Sequence, residues 1–175
     1  ENSSNPLAEL RIEGGWRTSE PGKPQLPMMS ALIGIPANAK VELNILKDGK
    51  RAIDQTLNLP AAPTPVASED GLIQEAGAPL VSAMEAGNDQ WYPSSSARIT
   101  GDGWLRNQRV ARIEFFPFQY RPSDGRVIWH ENMRVQVRFI EDPSLGAGSS
   151  MAPAETSPTR QDPFEAALRL NLANY

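Results

Sequence analysis

The sequence predicts an all-β fold, an antiparallel β-sandwich with a long inserted loop and a short C-terminal helix. Three observations carry this. Sixteen prolines and thirteen glycines in 175 residues break long helices and favour short strands joined by turns. Val41, Leu43 and Ile45 alternate with Lys40, Glu42 and Asn44, and Met133, Val135, Val137 and Phe139 alternate with Arg134, Gln136 and Arg138. That period of two marks strands buried on one side. Finally, EFFPFQYRPSDGRVIWHENMRVQVRF, residues 114–139, reads as a hairpin whose turn carries Pro122, Asp124 and Gly125.

Taken in order, residues 1–27 read as irregular with one short strand expected at Leu7–Ile12, before Gly14, Gly15, Pro21, Gly22, Pro24 and Pro27 interrupt the chain. Met28–Ile35 is an apolar run closed by Pro36, consistent with a buried strand. Lys47-Asp48-Gly49-Lys50 reads as a turn after the strand at 41–45, and Ala52–Leu59 as its return. Residues 60–90, with Pro60, Pro63, Pro65 and Pro79 among alanines and glycines, make a long excursion that packs little of its own surface. Trp104–Arg106 and Gln108–Phe118 are expected strands, and Trp91 and Trp104 are expected to pack in the core.

The sandwich is expected to span 1–142, with the inserted loop at 60–90. Residues 143–160 are Ser, Gly, Ala, Pro and Thr in composition and read as a flexible linker. A helix is expected over 161–175. Asp162, Pro163 and Glu165 form a capping box, and Phe164, Leu168 and Leu172 share one face.

Candidate chemistry is sparse. The chain has no cysteine, which removes a thiolate nucleophile, a disulfide framework and a thiolate zinc site. His130 is the single histidine, lies out of phase with the core positions of its strand, and reads as a structural edge residue. Glu69, Asp70, Asp102 and Asp124 sit near glycines without the alternating ladder of a calcium loop, so Asx turns account for them and no cofactor or metal is expected. A net charge of −4 with Lys and Arg scattered among carboxylates argues against nucleic acid. No apolar run approaches the roughly 20 residues of a membrane span. The chain begins without an apolar leader, so any signal peptide is expected to have been removed or never present.

Three segments together resemble the N-terminal propeptide of gingipain-type cysteine peptidases. They are GKPQLPMMSALIGIPANAKVELNIL from Gly22, WYPSSSARITGDGWLRNQRVARIEFFPFQYRPSDGRVIWHENMRVQVRF from Trp91, and the tail DPFEAALRLNLANY. The resemblance implies a β-sandwich prodomain of a secreted bacterial precursor, without catalytic activity of its own. Its implied partner is the cognate cysteine peptidase catalytic domain, which it helps to fold and whose cleft it covers. In arginine-specific members a prodomain loop places an arginine in the specificity pocket. That loop corresponds to residues 60–90 here, yet no lysine or arginine occurs between Ala52 and Ala97. Asp70, flanked by Glu69 and Gly71, is then the expected pocket-filling residue, with Leu72 and Ile73 as the steric alternative. A solvated acidic turn explains the same residues. Processing is expected near Arg160 and at Tyr175. The competing reading is an accessory β-sandwich of an exported protein that binds carbohydrate or another surface.

Overall fold

A computed structural model describes residues 7–67, 73–75, 89–106, 108–146 and 163–174. Among them are nine strands: β1 Trp16–Arg17, β2 Pro27–Ile35, β3 Ala39–Ile53, β4 Pro65–Ala67, β5 Ile73–Glu75, β6 Ala97–Leu105, β7 Gln108–Phe115, β8 Phe118–Arg121 and β9 Arg126–Glu141. Two helices come after them, α1 Pro143–Gly146 and α2 Pro163–Asn171. One sheet has the order β1-β2-β7-β6, a second β3-β9-β8, and β4 and β5 pair with each other alone. The fold is the antiparallel β-sandwich anticipated from the alternating strands, with a helix near the C-terminal end.

The chain divides into two compact units. The first comprises residues 1–29, 47–96 and 115–133. Its core is Leu26, Leu59, Ala61, Tyr120 and Val127, with Ala8, Leu10, Ile53, Leu57, Tyr92 and Phe118 packed around them. The β8–β9 hairpin lies here, in the register Phe118↔Trp129 to Arg121↔Arg126. Its turn matches the expectation from Pro122, Asp124 and Gly125. Asp124 accepts from the Arg121 guanidinium and from the Arg126 amide at 3.2 Å. These donors hold its carboxyl below the ordinary value, the Arg121 bond contributing most.

Gly125 has φ +68°, and a Cβ placed on it would lie 2.8 Å from the Leu57 carbonyl oxygen. Only glycine meets both conditions, because the backbones come this close through the Leu57 amide bond to the Gly125 carbonyl, 2.8 Å.

The second unit comprises residues 30–46, 97–114 and 134–175. Ile33, Ile35, Ala39, Ala97, Ala111 and Ile113 are buried in it. Arg109 ties β7 to the entry of β3, donating to the carbonyl oxygens of Ala37 and Ala39 at 3.2 and 2.7 Å. Asp142 starts α1. It accepts from the Ser144 amide at 3.0 Å and pairs with Lys40 at 2.5 Å, while Pro143 takes the first helical position.

Several local expectations differ from the structure. Lys47–Lys50 is no turn: β3 runs unbroken from Ala39 to Ile53. The Asp48 carboxylate is drawn across to His130 and Ser96, and Gly49 lies against the Asn132 backbone, so neither residue serves to reverse the chain. Consequently Ala52–Leu59 is not a return strand. The run expected at 108–118 is broken after Phe115, where Pro117 supplies no amide donor. Trp104 is 47% exposed instead of packed in the core. Residues 143–146, expected to belong to the linker, form the helical turn that Asp142 caps.

Two measurements test these contacts. Gly125→Ala is expected to lower stability by about 1–3 kcal/mol, read as a shift of the urea midpoint. For Asp142, Lys40 first and Ser144 second bring the carboxyl from 3.8 to about 2. The folded value is the lower one, so the stabilisation is complete above the unfolded value and is lost as pH falls towards 2. Asp142→Asn is therefore expected to be less stable at neutral pH and to show a shallower stability loss between pH 4 and 2 in acid titration followed by circular dichroism.

Candidate functional site

The excursion between Ala62 and Trp91 is rooted at both ends in the first unit. At the departing end, Leu59, Ala61 and Ala62 are buried, and small side chains let the backbones of 60–62 and 22–25 approach. The amide of Gln25 donates to Pro60 O at 2.9 Å, Gly22 to Ala62 O at 3.0 Å, and Ala62 to Lys23 O at 2.8 Å. Thr18 locks the opposing strand, its hydroxyl donating to Pro24 O at 2.8 Å and accepting from the Leu26 amide at 2.9 Å.

At the returning end, Tyr92 and Tyr120 exchange amide-to-carbonyl bonds of 2.8 Å in both directions. The Tyr92–Pro93 peptide is cis. Gln119 donates from Nε2 to Pro93 O at 2.6 Å, and the Arg121 guanidinium lies 4.9 Å over the Trp91 ring. Between the two roots, β4 and β5 pair antiparallel as Pro65↔Glu75, Val66↔Gln74 and Ala67↔Ile73. Residues 68–72 connect them.

This hairpin is the element that periodicity missed in the segment expected to have little structure of its own. Its signal was present but short: Pro65-Val66-Ala67 and Ile73-Gln74-Glu75 flank a Gly-containing tip. Of the expected contact residues, Ile73 begins β5. Glu69, Asp70, Gly71 and Leu72 fall in the connecting five residues and lie outside the described residues, as do Arg160 and Tyr175.

His130 is not at an edge in solvent phase. Its ring is fully enclosed, with Nε2 3.0 Å from Gln119 Oε1 and Nδ1 against Asp48 Oδ1. Because Gln119 Nε2 already donates to Pro93 O, its Oε1 is fixed as an acceptor for the ring. Ser96 Oγ donates to the other Asp48 oxygen at 3.1 Å. Both ring nitrogens have partners and the ring is closed off from solvent, which is the setting of a structural histidine.

Asp102 is bound by Arg109 at 2.6 Å, and Asp124 by Arg121 and Arg126. Among the described residues no three His, Asp or Glu side chains converge on a possible metal position. An open depression of about 330 Å³ in the second unit is lined by Leu32, Thr100–Gly103, Val110, Arg112 and Glu114. No histidine lines it. Among the described residues, the arrangement presents a rooted hairpin.

Comparison with known proteins accords with this geometry. The structure resembles that described as structural insight into zymogenic latency of gingipain K from Porphyromonas gingivalis, with TM-score 0.56 and 17% identity over 73% of this chain and 70% of that one. It also resembles the complex of Porphyromonas gingivalis RgpB pro- and mature domains, with TM-score 0.60 and 20% identity over 92% of this chain and 77% of that one. No curated protein matches by sequence. The Propeptide_C25 family model matches residues 6–172, nearly the whole chain, and the protein belongs to that family.

Proposed function

We propose that this chain is the prodomain of a gingipain-like cysteine endopeptidase precursor, and that it keeps the peptidase latent by covering its cleft and assists its folding. The observation that carries this reading is the Propeptide_C25 match across residues 6–172. The structural relatives, one described in terms of zymogenic latency and one as a complex of pro- and mature domains, support it. The precursor is then the hydrolase, exported from a bacterial cell, while this chain supplies the inhibitor.

The contact proposed is the β4–β5 hairpin with its connecting residues. A segment entering a cleft in extended form gains main-chain hydrogen bonds, and one side chain sets selectivity. Asp70 is the residue we assign to the specificity pocket, with Glu69 and Gly71 beside it and Leu72 and Ile73 as apolar contacts. A chain without lysine or arginine between Ala52 and Ala97 suits a peptidase whose pocket accepts an acidic or apolar side chain. Rooting at Pro60–Ala62 and at Tyr92–Pro93 reduces the conformational freedom lost on binding. Resistance to cleavage results if the scissile carbonyl sits away from the nucleophile, since a misplacement near 1 Å costs roughly 10²-fold in rate. Tight inhibition calls for a total buried area on the order of 1,600 Å². Processing would fall near Arg160 and next to Tyr175.

The test mixes this chain with the separately produced cognate peptidase domain and measures residual activity. Nanomolar inhibition is expected. Replacing residues 66–76 by a Gly/Ser linker is expected to weaken it on the order of 100-fold. Inhibition unchanged by that replacement would remove the hairpin mechanism and leave the prodomain reading standing; no inhibition by the intact chain would remove both.

A further inference from the structure

Helix α2 and the residues after it are seated on β2 within the second unit. Leu168 and Leu172 are buried against Val110 and Leu32. Leu172 forms a parallel bridge with Leu32, and the Ala173 amide donates to Leu32 O at 2.9 Å. Asn174 then engages one backbone residue with both ends of its amide. Its Oδ1 accepts from the Gly34 amide at 2.7 Å, and its Nδ2 donates to Gly34 O at 2.8 Å. The tail thus continues the sheet beside β2, with a side-chain amide standing in for a peptide group. Gly34 matches this use: a Cβ there would lie 3.4 Å from Leu172 Cδ1 and 3.3 Å from Gln108 Nε2.

Among the described side chains of the helix, Leu168 and Leu172 are the buried ones, while Leu170 is 86% exposed. A nine-residue helix is below the roughly 12–15 residues at which an isolated helix becomes marginal in water. Detached from the chain, this segment would have to order its backbone at each binding event before its leucines and its bonds to β2 returned anything. A short connecting stretch, by contrast, holds it at an effective concentration on the order of millimolar.

We propose that the groove formed by Leu32, Gly34 and Val110 is a binding site for the chain's own segment 163–174 that stays filled only while the segment is tethered, so that a cut between Gly146 and Pro163 empties it. Resting on the prodomain reading, the consequence is that one such cut ends two connections at once, the covalent one and the docked one. The peptidase domain is then held only by contacts made elsewhere on the prodomain, and inhibition becomes sensitive to dilution.

The seat can be tested on this chain alone. A recognition sequence for a site-specific protease is placed within residues 150–158 of the full chain, and the uncut and cut proteins are compared at about 10 µM, well below a millimolar-range dissociation constant. After the cut, the C-terminal fragment is expected to separate on gel filtration, and the Gly34 amide to lose more than tenfold of its hydrogen-exchange protection. Co-elution of the fragment with retained protection would overturn the proposal. In the uncut chain, Asn174→Ala is expected to lower Gly34 protection roughly tenfold, the loss of about one hydrogen bond; unchanged protection would overturn the assignment of Asn174 to the seat. Neither readout involves a peptidase, so failure here is distinct from failure of the inhibition assay.

Discussion

The enclosed contact of His130 with Asp48 and Gln119 is the constraint on which the first unit depends. It gathers β9, β3 and β8 at one point, and through Ser96 and Pro93 it reaches the segment that brings the excursion back. A polar group at this depth is tolerable only when each donor and acceptor is met, because an unmet one costs about 1–3 kcal/mol. Satisfying them fixes strand register: a one-residue slip of β9 would replace His130 by Trp129 or Glu131, neither of which can bridge a carboxylate and an amide oxygen in the same space. The same requirement explains why Asp48-Gly49 lies inside a continuous strand although its composition describes a turn.

That example marks the boundary of what the sequence discloses. The period-two alternation at 41–45 and 133–139 is a local property and the strands are where it places them, but the apolar face is only half-buried and Ile45 and Phe139 are exposed. The Pro122–Gly125 turn is equally local, since its positive φ and its Asp124 bonds are met within six residues. His130 could not be read in this way. Its burial depends on partners 82 and 11 residues away, and polar residues in a strand pattern default to the solvent face. The Asn174 clamp on Gly34 spans 140 residues and leaves no periodic trace. Trp104 errs in the other direction: its size suggests core, while the end of β6 offers it partial cover only. At the candidate site, the absence of basic residues was visible from composition, but the hairpin that organises the excursion was too short for alternation to show.

A hairpin of two three-residue strands cannot support itself, since isolated two-stranded ribbons are marginal in water even when longer. Its order derives from the unit on which it stands. The roots are built for that purpose by different means. The first uses alanines, whose lack of bulk permits backbone-to-backbone bonding with 22–25. The second uses large groups, a Tyr92–Tyr120 exchange and an Arg121–Trp91 stack, bracketing a cis proline. Fixing both ends holds the two roots at a set separation, so part of the entropy cost of closing the excursion is met when the unit folds.

The distribution of charge leads to the same kind of recognition. Asp48, Asp102, Asp124 and Asp142 are each engaged by a cation or hydrogen-bond donor of this chain, and Arg109 and Arg121 are the partners of two of them. Those pairs serve the fold, so their electrostatic attraction is not at the disposal of a second molecule. Exposed Trp16, Trp104 and Trp129 and the backbone of the rooted hairpin are further groups that the described surface presents. Aromatic contact and main-chain pairing are short-range and screened little by salt, unlike opposed charge patches. A scaffold that engages several of its ionic groups internally suits the proposed contact, in which an extended segment contributes main-chain bonds and one side chain sets selectivity.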